Sequence, residues 1–189
     1  MFKISIEQQK LFKGLLSIKG SVGKGKGQNP TDKTVYLQAY NDKGVGKLRM
    51  VTTNFNEWTE TIVDTVIPVA VEGVAPLVEY DRLLNLVGTV SPTLEIEIEE
   101  KNSQYLTLNY QGRKSPIELN CLGNNDFLVP PEVQVTQKYT IPAATLKQGL
   151  EKCSQIIVDN ETTPLFNCAN IEVTNNAISF EAIDSINKR

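Results

Sequence analysis

The side chains best placed to do chemistry in this sequence are lysines, not nucleophiles or acid–base pairs. Lys3, Lys10, Lys13, Lys19, Lys24, Lys26 and Lys33 face only Glu7 and Asp32 over residues 1–33, a local charge of +5 in a chain whose formal total is −3. The rest of the chain therefore sums to −8. A basic segment on an acidic body confines any contact with a polyanion to one surface, because the whole-molecule field does not attract one. Other chemistries lack their residues. The sequence has no histidine, which removes the commonest general base near neutral pH and a common zinc ligand. Cys121, Cys153 and Cys168 form no CxxC pair, so a cysteine-only metal site is not expected. Glu95 and Glu97 share one strand face and alternate with apolar residues; they read as solvated surface, whereas paired catalytic carboxylates need a cleft. The loop Ser21-Val-Gly-Lys-Gly-Lys-Gly27 lacks GxxxxGK[ST] spacing and follows a helix where a phosphate-binding loop must precede one. It reads as a mobile basic loop. Phe55 and Trp58 could stack on bases, but packing at a strand end is the plainer reading. No catalytic residue, metal or cofactor is expected, and the chain is not read as an enzyme.

The elements that must position those lysines form a repeat, the feature to seek first. Three stretches share one plan of a short strand, a turn and an amphipathic helix. Phe2–Ile6 leads into Glu7–Ile18, Thr65–Val71 into a helix near Val78–Val87, and Lys138–Ile141 into Ala143–Ile157. Alternating strands follow each helix: Thr34–Tyr40 and Lys47–Thr53, then Leu94–Glu99, Tyr105–Tyr110 and Pro116–Leu119, then Asn170–Val173 and Ala177–Glu181. Asn41-Asp42-Lys43-Gly44, Gln111-Gly112-Arg113 and Thr174-Asn175-Asn176 supply turn chemistry between them. Each unit reads as β-α-β-β-β, and two units side by side make one domain of an α+β fold.

At 100° per residue the helices are two-faced. Leu11, Phe12, Leu15, Leu16 and Ile18 oppose Lys10, Lys13, Gly14 and Ser17; Leu146, Leu150, Cys153 and Ile157 oppose Lys147, Gln148, Lys152 and Gln155. In the middle helix Tyr80, Leu83, Leu84, Leu86 and Val87 oppose Asp81, Arg82 and Asn85. Each helix can cover a sheet with one face and keep the other wet. Lysines on such a wet face are ordinarily just solvated, so the pattern alone does not make them a site.

The proline-punctuated run Phe127-Leu-Val-Pro-Pro-Glu-Val marks a domain crossing, with domains expected at 1–132 and 133–189. The second holds one strand, one helix and two strands, so it looks cut short, with an unpaired sheet edge and little core. An apolar fraction of 40% and a charged fraction of 22% fit a folded globular protein, not a disordered one. The odd cysteine count fits a reducing compartment. Met1–Ile6 is too short and too charged for a signal peptide or a membrane run, so a cytoplasmic location without membrane contact is expected.

In order and spacing the chain resembles the beta subunit of bacterial DNA polymerase III, the sliding clamp. Met1-Phe-Lys-Ile-Ser-Ile6 with its lysine-bearing helix looks like that family's start. Val51-Thr-Thr-Asn-Phe-Asn-Glu-Trp58 stands where the family has a Thr-Asp-Leu-Glu-like strand end. Tyr139-Thr-Ile-Pro-Ala-Ala-Thr-Leu-Lys147 resembles the start of its second domain. Thr163-Pro-Leu-Phe-Asn-Cys-Ala-Asn-Ile171 and Glu181-Ala-Ile-Asp184 follow at family-like spacing. The resemblance covers the first domain and roughly the first half of the second. Two departures stand out. Thr162-Thr-Pro-Leu-Phe166 lies near where family members can carry DNA-contacting aromatics, and Ser185-Ile-Asn replaces Gly-His-Arg at the partner-peptide cleft.

The resemblance implies a DNA-clamp fold and a processivity factor that encircles duplex DNA and tethers the replicative polymerase, with the clamp loader as a further partner. The complete protein would close as a homodimeric ring, and this chain would supply about half of one subunit. Lys10, Lys13, Lys147 and Lys152 would line the DNA channel, with Lys19, Lys24 and Lys26 near its mouth. Ile183, Ser185 and Ile186 would belong to an incomplete partner cleft. The alternative is a truncated clamp-like interaction module that binds clamp partners without encircling DNA.

Overall fold

A computed structural model describes residues 2–23, 29–123, 127–130, 134–157, 167–174 and 177–183. The chain divides into two compact units, Met1–Pro131 and Glu132–Arg189.

The first unit is two interlocked halves. One half is β1 (Lys3–Glu7), α1 (Gln8–Ser17), β2 (Thr34–Asp42), β3 (Val45–Thr53) and β4 (Trp58–Asp64). After the short β5 (Gly73–Val74), the other is β6 (Leu77–Glu79), α2 (Tyr80–Gly88), β7 (Glu95–Asn102), β8 (Tyr105–Tyr110) and β9 (Ile117–Leu122). Each half lends its leading strand to the other: β1 pairs with β7, and β6 pairs with β2 as well as with its own β9. All pairings are antiparallel, giving the order β1-β7-β8-β9-β6-β2-β3-β4 with β5 beside β2. The expected β-α-β-β-β repeat is present in both halves.

Local chemistry explains these elements. Lys43 and Gly44 both take positive φ, 50° and 82°, between the paired residues Asp42 and Val45. A two-residue turn of that handedness matches the twist of the strands it joins. In β7 Glu95, Glu97 and Glu99 are exposed while Ile96 and Ile98 are fully buried opposite Ile6 and Ile4 of β1. Period-two alternation thus sets the register, because a one-residue slip would bury the carboxylates.

The helices lie antiparallel over one core, the start of each at the end of the other. Leu11 and Leu15 of α1 and Leu83 and Val87 of α2 are fully buried in that core. Two hydrogen bonds tie the pair reciprocally: Gln8 Nε2 donates to Val87 O at 2.8 Å, and Tyr80 Oη donates to Leu15 O at 2.7 Å. In each case the first residue of one helix reaches the eighth of the other. Burial pushes the Tyr80 phenol up to about 12. Tyr80→Phe is expected to cost about 1 kcal/mol in urea unfolding, because Leu15 O keeps its bond from the Ile18 N–H. Its alkaline behaviour should differ as well. A folded-state value above the ordinary one near 10 means the stabilisation is complete below that pH and is lost as pH rises toward about 12. The variant should lack that part of the alkaline loss.

Two expectations need correction in this unit. Thr65–Val71 is not a strand; only Val71 makes an isolated bridge, with Lys3, and Val66 N–H donates to Ser5 O at 2.9 Å. Pro68 lacks the N–H a ladder needs. The strand leading into the second helix is instead β6, so α2 begins at Tyr80 and Val78 is a strand residue. β4 was not expected. Its half-buried side presents Thr59, Thr61 and Val63 while Ile62 is exposed, so the apolar alternation that marks a strand is scrambled.

The second unit contains α3 (Ala143–Ser154) and a hairpin of β10 (Asn170–Val173) and β11 (Ile178–Glu181) in the register Ile171↔Phe180. Lys138–Ile141, read as a strand, carries no secondary structure, and α3 ends at Ser154, short of Ile157. A Cβ on Gly149 would stand 2.4 Å from the Phe180 ring, so this glycine lets helix and hairpin meet. Leu150, Ile156, Ile171 and Ile183 remain exposed.

Candidate nucleic-acid interface

The exposed side of α1 follows from Leu11, Gly14 and Leu15 facing the core. Lys10 and Lys13, one turn apart, remain in solvent and border a shallow groove with Gly14, Ser17 and residues Thr61–Asp64 of β4. Lys10 Nζ lies 2.7 Å from Glu7 Oε1. Asp64 is held below the usual carboxylate range, first by the hydrogen bond and charge of Lys47 and lastly by Lys10. Lys10 is thus partly neutralised. Lys13 forms no ion pair with any described residue and is the freer cation of the two.

Lys19 is exposed in the short turn after α1 and rims a second groove with Gly20, Val22, Lys33, Glu79 and Asp81. Lys24 and Lys26 lie outside the described residues. Sequence reasoning passed over Arg82. It is exposed on α2, and with Lys33 it lines a third groove beside Asn120 and Leu122. The signal was present, because Arg82 falls on the wet face of its helix as Lys10 and Lys13 do on theirs. The first unit therefore offers Lys10, Lys13, Lys19, Lys33 and Arg82 around two adjacent helices, interspersed with Glu7, Glu79 and Asp81. Such a surface can hold phosphates by charge without fixing a register.

In the second unit Lys147 and Lys152 are exposed on α3, and Lys147 Nζ lies 3.6 Å from Glu151 Oε1. Of the expected partner cleft, Ile183 is exposed, while Ser185 and Ile186 lie outside the described residues. Trp58 packs with the buried cluster of Val51, Leu77 and Phe127, and its Nε1 donates to Leu128 O at 2.9 Å. Phe127 in turn stacks on Tyr36 with ring centroids 5.0 Å apart. The aromatic residues here hold the end of the first unit in place, as the packing reading expects. Among the described residues no cluster of three metal-ligating side chains occurs, and no helix is long and apolar enough to cross a membrane.

No protein-family profile matches the chain, and no curated protein matches it. Solved structures do. A putative DNA polymerase III beta subunit from Eubacterium rectale superimposes with a TM-score of 0.84 at 16% identity, over 98% of this chain and 47% of that one. A griselimycin-bound DnaN sliding clamp from Pseudomonas aeruginosa gives 0.83 at 18% identity, over 97% and 47%. The beta sliding clamp of C. crescentus gives 0.81 at 18% identity, over 97% and 48%. The chain thus spans about half the length of the solved proteins it matches. It has the fold of the bacterial DNA polymerase III beta sliding clamp, over a stretch equal to somewhat less than half of such a subunit.

Proposed function

We propose that this chain is part of a DNA sliding clamp, a processivity factor that encircles duplex DNA and tethers a polymerase. The observation that carries the reading is the likeness to beta sliding clamps along 97–98% of the chain. The charge distribution supports it. A sliding ring needs diffuse attraction to phosphates and no base readout, and exposed lysines tolerate many geometries. Lys10, Lys13 and Arg82 on the paired helices, Lys19 beside them, and Lys147 and Lys152 on α3 are the residues assigned to that attraction. Retention is topological, so a net acidic protein can remain on DNA. The polymerase and the clamp loader are the proposed protein partners, the complete ring is a homodimer, and the reading requires no catalytic step. Location in the cytoplasm goes with it.

The test compares retention on nicked circular plasmid with retention on the same plasmid linearised. A closed ring is held on the circle and lost over free ends, whereas simple electrostatic binding treats both alike. Equal retention would remove the encircling reading. Competition for polymerase or loader without any DNA retention would put the interaction-module alternative in its place.

A further inference from the structure

Both halves of the first unit place a glutamate immediately before their helix. Glu7 ends β1 and precedes α1, and Glu79 ends β6 and precedes α2, with nearly equal backbone angles (φ, ψ) of −60°, 131° and −60°, 123°. That position favours Ser, Thr, Asp or Asn, whose short side chains cap the first turn. Neither glutamate makes a capping hydrogen bond to its helix. Both are exposed instead, among the cations of the candidate interface. Glu7 Oε1 lies 2.7 Å from Lys10 Nζ. Glu79 borders both grooves that contain Lys33, one shared with Lys19 and the other with Arg82. It forms no ion pair with any described residue, so no single partner neutralises its charge.

We infer that Glu7 and Glu79 limit the grip of this face on duplex DNA by keeping phosphates from settling at the starts of α1 and α2. The inference rests on the sliding-clamp reading. At the start of a helix, unpaired N–H groups and the dipole favour an anion, and basic side chains nearby strengthen that attraction. Lys10 stands beside one such start, and Lys33 and Arg82 beside the other. A phosphate lodged there would fix the protein's register on the duplex, which a sliding protein must avoid. A carboxylate at the same point repels the phosphate and offsets part of the local positive charge. Lys13, which has no such carboxylate paired to it, still attracts the backbone as a whole. The glutamates of β7 cannot act in this way. Glu95, Glu97 and Glu99 project from the sheet face opposite to Ile96 and Ile98, which pack into the core under the two helices.

Equilibrium binding of the 189-residue chain to duplex DNA across a salt series, with single-molecule tracking on stretched duplex, tests it. The double variant Glu7→Gln with Glu79→Gln should bind roughly 10- to 100-fold more tightly at low salt, steepen the slope of log affinity against log salt by about 2, and diffuse along DNA more slowly. Either substitution alone should give about half of the change in slope. Glu97→Gln removes an equal charge from the opposite sheet face and should leave affinity, slope and diffusion near their wild-type values. All three glutamates are exposed, so helical circular dichroism and the unfolding midpoint should change little. Single variants that bind and diffuse as Glu97→Gln does, or a double variant that binds more weakly than wild type, would overturn the inference. The sliding-clamp reading survives that result if reversing Lys10 and Lys13 still weakens binding. If the reversal has no effect either, this face does not meet DNA and the inference falls with it.

Discussion

Gly46→Ala lowers the unfolding free energy of the first unit by about 3 kcal/mol, at the upper end of what overpacking a core costs. The crossing segment after β4 passes directly over this position. A Cβ there would stand 2.1 Å from Thr65 Oγ1, 2.7 Å from Ile67 O and 3.0 Å from Val69 N. Two of those three are backbone atoms, which cannot rotate away as a side-chain end can. Thr65 is itself fixed, because its N–H donates to Gly46 O at 2.9 Å and its hydroxyl to Ile67 O at 2.5 Å. Gly14→Ala is the informative contrast. Its nearest obstacle is Met50 Cε, the free end of a flexible chain, and alanine gains about 1 kcal/mol of helix propensity over glycine. The first variant should shift the urea midpoint strongly and the second little. Trp58, the sole tryptophan, reports both transitions, since its indole is bonded to Leu128 within the same unit. Equal effects from the two glycines would show that the crossing segment yields more easily than its packing implies.

Reversing Lys10 and Lys13 together to glutamate is the second large effect. Each phosphate contact contributes about −0.9 to the slope of log affinity against log salt. Losing two such contacts should flatten the slope by about 2 and weaken binding to duplex DNA at low salt by roughly 10- to 100-fold. The two residues should not contribute equally. Lys10 already faces Glu7 at 2.7 Å, so Lys13→Glu alone should account for most of the loss. An unchanged salt slope in the double variant would remove this helix face from the DNA interface. Stability should change little, because both side chains are exposed.

The elements that carry strong periodicity were readable in advance. Leu94-Glu-Ile-Glu-Ile-Glu99 alternates cleanly and falls on β7, starting one residue later at Glu95. Leu11, Leu15 and Ile18 keep helical spacing on the face of α1 that is buried. What escaped was decided by tertiary context. β4 lies at the sheet's end, where Thr59 and Thr61 suffice on the side facing the core, so no apolar rhythm announces it. Residues 65–71 are rich in valine and isoleucine, yet Val66 and Ile67 are exposed. They cross between strands instead of pairing as one. The lysines of the candidate interface were visible as helix-face charges, and the pairing of Lys10 with Glu7 follows from their i,i+3 spacing, but the place of Arg82 beside Lys33 depends on how α2 packs.

The exchange of leading strands also dictates when this unit can form during synthesis. β1 emerges first and has its ladder partner only in β7, with Ser5 bonded to Glu95 across 90 residues of sequence. At translation rates of about 5–20 residues per second, the first strand waits roughly 5 to 20 s before its partner exists. Neither half can close alone meanwhile, since β6 is likewise needed beside β2. The nascent chain must therefore carry Phe2, Ile4 and Ile6 unpaired through much of its own production. A ribosome-bound chain halted before Glu95 should be an avid client for a chaperone, and one released after Leu122 should not.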